Sequence, residues 1–168
     1  MSDQKMDVRT TENELIYTRV FDAPPALVFN AFSTCEHLRQ WWGPRTWPMA
    51  ECTIDFRVDG VWHYCLRGPN EGDEAWGKAV YEEIVKPERL VYRDYFCDAA
   101  GNINPDLASA LVTYTFGEHD GQTQLTGRAL YDDPAGLEQV LSMGVIEGMT
   151  ETLDRLDEHL AQAVKAGQ

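Results

Sequence analysis

The chain has 168 residues and a formal net charge of −14, with 43% hydrophobic and 25% charged residues. That length fits one domain, and the balance is that of a folded chain rather than a disordered one. The negative charge argues against nucleic acid and anionic membranes as partners, because both attract proteins through Lys and Arg and no basic patch stands out.

Residues 1–14 are polar and lack the apolar core of a secretion signal. They are expected to form a flexible leader to a single domain over 15–168. No stretch approaches the ~18 apolar residues that cross a bilayer, so a cytoplasmic setting is expected. Leu15 to Phe21 alternates apolar and polar residues, as a strand does. Asp22-Ala23-Pro24-Pro25 follows, an N-cap candidate and then prolines suited to a first helical turn. Val28, Phe29 and Phe32 recur at helical spacing, giving a short helix over 25–32. Ser33 and Glu36 make a capping-box pattern for a second short helix, which Gly43-Pro44 ends.

From 49 to 131 the period becomes two. Strands are expected near 49–56, 60–67, 74–84, 89–97, 109–117 and 122–131, joined by turn-forming segments such as Asp59-Gly60 and Asp120-Gly121. Short links of this kind imply an antiparallel meander. Asp133-Pro134 then opens a helix expected to run to about Ala163. Its second half carries Met149, Leu153, Leu156 and Leu160 on one stripe opposite Glu147, Glu151, Asp154 and Glu158. Its first half is apolar on several sides and interrupted by Gly144 and Gly148, which leave room for a strand or ligand. A cavity wall is expected there, over Leu137 to Gly148.

The predicted fold class is α+β: a curved seven-strand antiparallel sheet around a long C-terminal helix, with two short helices after strand one. This layout and several motifs resemble the START-like, or SRPBCC, superfamily with its helix-grip fold. The similarity is closest to the branch named for homology to the activator of the heat-shock-protein-90 ATPase. FDAPPALVFNAFS (21–33), WWGP (41–44), RVDG (57–60), RGPNEGD (67–73), PERLVY (87–92) and GMTETLDRLDEHL (148–160) carry it. The chain departs from that branch at Asp59, where Gly is common, and at Met149, where an aromatic is usual. The resemblance implies the fold and leaves the activity open, since one fold hosts many functions.

Candidate chemistry is sparse. Cys35, Cys52, Cys65 and Cys97 contain no CxxC pair, so reduced thiols are expected rather than a zinc site or disulfide framework. His37, His63, His119 and His159 are scattered without metal-ligand spacing, and no phosphate loop is present. Alternation puts His63, Cys65 and Arg67 on one strand face. If that face is concave, His63 and Arg67 orient a polar ligand head; if convex, both are solvated. Glu147 is the acid–base candidate on the helix, although it projects with the other acids.

The aromatic residues, five Trp among them, are the strongest functional hint, because such rings line apolar pockets. The expected lining is Trp41, His63, Tyr92, Tyr114, Met143 and Met149, enclosing a small apolar or aromatic ligand between sheet and helix. No catalytic residue, metal or cofactor is expected, and the protein is read as a monomer or homodimer. Two alternatives stay open. One is a co-chaperone-like regulator in a stress response, which the branch name implies. The other is a cavity enzyme of cyclase or dehydratase type using His63 or Glu147.

Overall fold

The computed structural model describes residues 6–165. In chain order the elements are β1 (Asp7–Thr10), β2 (Glu14–Phe21), α1 (Pro25–Asn30), α2 (Cys35–Trp41), β3 (Met49–Ile54), β4 (Val61–Arg67), β5 (Glu74–Val85), β6 (Arg89–Cys97), β7 (Ala110–His119), β8 (Gln122–Tyr131), α3 (Pro134–Ser142) and α4 (Val145–Lys165). The strands form one antiparallel sheet in the order β1-β2-β8-β7-β6-β5-β4-β3. Strands β3 to β8 are the expected meander, and β2 closes on β8 across the greatest sequence distance. The sheet curves, and the helices cover its concave face: this is the helix-grip fold.

Four details correct the sequence expectation. The sheet has eight strands, not seven, because Asp7–Thr10 within the expected leader pairs with β2 from Asp7↔Thr18 to Thr10↔Leu15. The second short helix is capped by Thr34, whose hydroxyl accepts from the His37 amide at 3.2 Å, and the first helix takes Pro24 rather than Asp22 as N-cap. Cys35 and Cys52 form a disulfide, tying α2 to β3, where reduced thiols were expected. Finally, the long helix is two helices. Asp133 caps α3 as expected, accepting from the Gly136 amide at 2.9 Å. The chain then leaves the helical path at Gly144, whose φ of 85° suits only a residue without a Cβ, and restarts as α4.

Side-chain alternation fixes which residues face inward. Leu15, Tyr17 and Phe21 from β2 meet Trp62, Tyr81, Tyr92, Tyr114, Phe116 and Leu125 from the other strands in one buried core. Phe29 of α1 and Phe32 just after it pack edge-on against Phe116, which closes one end of the concave face. Leu153, Leu156 and Leu160 bring the apolar stripe of α4 down onto this core. Among the described residues no helix is long and apolar enough to cross a membrane.

One polar contact fixes α4 on the sheet. Arg19 of β2 is only 4% exposed, and its guanidinium reaches Asp154 at 2.5 Å and Asp157 at 3.8 Å, both on α4. It also lies 5.3 Å from the centre of the Phe21 ring. Removing the carboxylates while keeping the arginine leaves a buried, unpaired cation, which is far costlier than replacing the whole pair by apolar groups. We expect D154N/D157N to lose about 3 kcal/mol in urea unfolding, and the further change R19M to recover most of that loss. Unchanged stability of D154N/D157N would show that these contacts do not hold the helix.

Candidate functional site

Strand β6 turns Leu90, Tyr92, Asp94 and Phe96 inward, while Arg93 on the outer face lies 4.0 Å from Asp132. Asp94 is therefore a carboxylic acid on the concave side of the sheet. Among the described residues no side chain or backbone amide donates a hydrogen bond to its carboxylate. Burial alone raises its pKa from the ordinary carboxylate range to about 7, because an ion taken out of water without a partner disfavours the charged form. Near neutral pH this group is divided between its two protonation states.

Tyrosines surround it. Tyr17 of β2 donates its hydroxyl hydrogen bond to Tyr114 of β7 at 2.9 Å. Tyr92 packs near both Tyr81 and Tyr114, and Tyr64 stacks on Trp62 with ring centres 4.4 Å apart. Burial pushes the phenols of Tyr17, Tyr64, Tyr92 and Tyr131 up, and the Asp94 charge pushes each further in the same direction. For Tyr114, burial is again the main cause, and hydrogen bonds from Tyr17 and Tyr92 limit the rise to about 12. All five stay protonated at neutral pH and present hydroxyls and ring faces rather than charges. Two of the rings lie across glycines: a Cβ on Gly77 or Gly127 would come within 2.4 Å of the ring of Tyr64 or Tyr17, respectively. Glycine at those two positions is what lets the rings lie flat on the sheet.

Space remains beside Asp94. A cavity of about 210 Å³ is bounded by Asp94, Phe96, Ala108, Ala110 and Tyr131 on the sheet side and by Val140, Met143 and Val145 on the helix side. A second, of about 120 Å³, shares Asp94 and Phe96 and extends under Tyr64 and Leu66. Small side chains leave the room: Ala75 and Gly77 beside the smaller space, Ala108 and Ala110 beside the larger, where the chain also breaks between α3 and α4. An apolar cavity of roughly 150 Å³ holds benzene, so the larger one has room for a single substituted ring.

The residues expected from the sequence distribute as follows. Tyr92 and Tyr114 lie inward in the tyrosine ring. Met143 borders the larger cavity at the helix break, although 54% of its surface is exposed. Trp41 is fully buried in the core, its indole nitrogen donating to the Ala31 carbonyl at 2.9 Å. Met149 packs partly buried against that core. His63 points away from the concave side, stacked on Trp76 with its Nε2 3.0 Å from the Asp98 carbonyl. Arg67 beside it pairs with Glu51 and Glu74. Glu147 is exposed. His37 and His159, distant in sequence, meet across α2 and α4 with ring nitrogens 2.9 Å apart. Sequence reasoning missed Asp94. Its signal was a charged residue in phase with Leu90, Tyr92 and Phe96 on a strand whose inward face is otherwise apolar.

The fold defines a helix-grip protein, with a partly open pocket between the sheet and the α3–α4 junction. A family model described as activator of Hsp90 ATPase homolog 1-like protein matches residues 22–161, and the chain belongs to that family. Among solved structures, a protein from Arthrobacter aurescens is 26% identical, with a TM-score of 0.86 over 93% of this chain and 91% of its own. Protein Ms6760 from Mycobacterium smegmatis is 32% identical, with a TM-score of 0.83 over 90% of this chain and 94% of its own. A comparison with curated proteins finds no match.

The raised Asp94 pKa has a consequence for stability whose sign is fixed. Between its unfolded value near 4 and its folded value of about 7, the folded state holds the extra proton, so stability falls as pH rises through that window. Replacing the carboxylate by a neutral amide removes this loss. We expect D94N to be more stable than wild type at pH 8 by on the order of a few kcal/mol, read from thermal melts, and to match it near pH 4. Equal pH dependence in both proteins would show that Asp94 is hydrated or paired.

Proposed function

We propose that this chain binds a compact, largely apolar ligand, a single substituted aromatic ring in size, between the concave sheet and the α3–α4 junction. The observation that carries the reading is the cavity of about 210 Å³ left beside Asp94, Phe96 and Tyr131 by small side chains and a bend in the helices. Pockets of this kind, mostly apolar with a few placed polar groups, are the usual form of small-molecule sites. Tyr92 and Tyr114 support its wall, and Met143 at the helix break forms an adaptable edge. The cytoplasm is the proposed setting. The Cys35–Cys52 bond pulls against that part of the reading, because disulfides persist mainly in oxidising compartments.

The family description favours a second reading, regulation of an Hsp90-type ATPase. An acidic chain suits a basic protein surface. A chaperone ATPase assay separates the two: stimulation that persists when the cavity is filled supports regulation, and no stimulation at saturating protein removes it. Catalysis through His63 or Glu147 finds no support, since neither side chain faces the cavity.

Fluorobenzene tests the binding reading. We expect saturable, one-site binding by fluorine NMR to the wild-type protein, and its loss in A110L, which extends a side chain into the cavity beside Asp94. Absence of saturable binding to a folded wild-type protein would contradict the reading.

A further inference from the structure

Asp94 is an odd group to place in a cavity for a purely apolar ligand. Transferring an ionised carboxylate from water into an apolar environment is expensive, so an unpaired one shifts toward its neutral form and a counter-charge restores the ionised one. Among the described residues nothing pairs with Asp94, which stands half-buried at the cavity wall. The inward residues facing it from β2, β4, β6, β7 and β8 are Tyr17, Tyr64, Tyr92, Tyr114 and Tyr131, all neutral phenols. From α3 and α4 the cavity receives Val140, Met143 and Val145, and Glu147 is exposed.

The nearby cations are committed elsewhere. Lys78 donates to the Gly101 carbonyl at 3.2 Å, and Arg93 sits by Asp132, both on the outer face. Arg19 shares the concave face but is bound to Asp154 and Asp157. Along the sheet Arg19 lies level with Phe116 and Asp94 with Ala110, six residues apart on β7. At about 3.4 Å per residue that separation is roughly 20 Å, too far to neutralise the carboxylate.

We propose that the missing partner is the ligand, and that the cavity is built for a small organic cation: a protonated amine on an aromatic or aliphatic body, with Asp94 as its counter-ion. The proposal rests on the cavity-binding reading above and adds the charge of the ligand to it. The surroundings suit this class. Tyrosine ring faces attract cations through their negative π surface, strongly so where water is excluded. The tyrosine hydroxyls accept hydrogen bonds from an ammonium group, and the apolar lining formed by Phe96, Ala108, Ala110, Val140 and Val145 takes the body of the molecule. The net charge of −14 draws cations toward the protein and disfavours anionic ligands.

Binding of a cation favours ionised Asp94, so affinity follows its titration. With a carboxyl that titrates at about 7, the ionised fraction rises about tenfold from pH 6 to pH 8, and amine affinity rises with it.

Benzylamine and benzyl alcohol, nearly equal in shape and different in charge, test the inference by calorimetry, with fluorobenzene as the neutral control for the cavity. We expect wild type at pH 8 to bind benzylamine at least tenfold more tightly than benzyl alcohol, and to lose about tenfold of the benzylamine affinity at pH 6. In D94N, checked for folding by its melt, the preference should fall to near unity while fluorobenzene binding persists. If fluorobenzene binds but benzyl alcohol matches benzylamine, the cation inference is overturned and the cavity reading stands. If the preference survives in D94N, Asp94 is not the counter-ion. If none of the three binds wild type, both readings fall together.

Discussion

A buried guanidinium has to find carboxylates, and Arg19 finds them on α4 at Asp154 and Asp157. Everything about the concave face follows from where this contact sits. It secures the C-terminal helix over one end of a curved sheet, next to Phe21 and the aromatic cluster of Phe29, Phe32 and Phe116. A straight helix fixed to one end of a curved surface cannot follow it to the other. The chain breaks at Gly144 between α3 and α4, and a partly open space remains beside the break.

The two ends of the face thus differ in electrostatic character. At one, a buried cation is matched within the protein and contributes to holding the fold. At the other, a half-buried acid has no partner among the described residues and works against the fold at neutral pH. Sites that break the rules of stable packing are where function is commonly found, since a ligand can restore what the fold omits. The tyrosines make the unmatched acid tolerable: they supply dipoles and ring faces without adding a second charge that would repel it or a fixed cation that would occupy it.

Much of the architecture was legible in the sequence because alternation is a strong signal when one strand face is buried. The six strands from β3 to β8 sit within two residues of their expected bounds. Strand β1 was not legible, since four residues of DVRT carry no apolar alternation and are held by pairing with β2 alone. Gly144 was noticed as an interruption, but a positive φ is invisible in one dimension, so one helix was expected where two exist. The Cys35–Cys52 pair depends on α2 lying against β3, and no spacing rule contains that contact. Phase decided the rest. His63 alternates with Trp62 and Tyr64, and without knowing which face is concave its role stayed open. Asp94 was hidden because Arg93-Asp94 reads as an ordinary solvated charge pair, although only Arg93 faces outward.

The unmatched carboxylate can be observed directly by carbon-13 NMR titration of the Asp94 side-chain carboxyl, assigned by comparison with D94N. We expect a midpoint near 7 in the free protein, shifting well downward when saturating benzylamine supplies the counter-charge. A midpoint in the ordinary range near 4, unmoved by the amine, would mean that Asp94 is solvated or already paired, and would contradict the central claim.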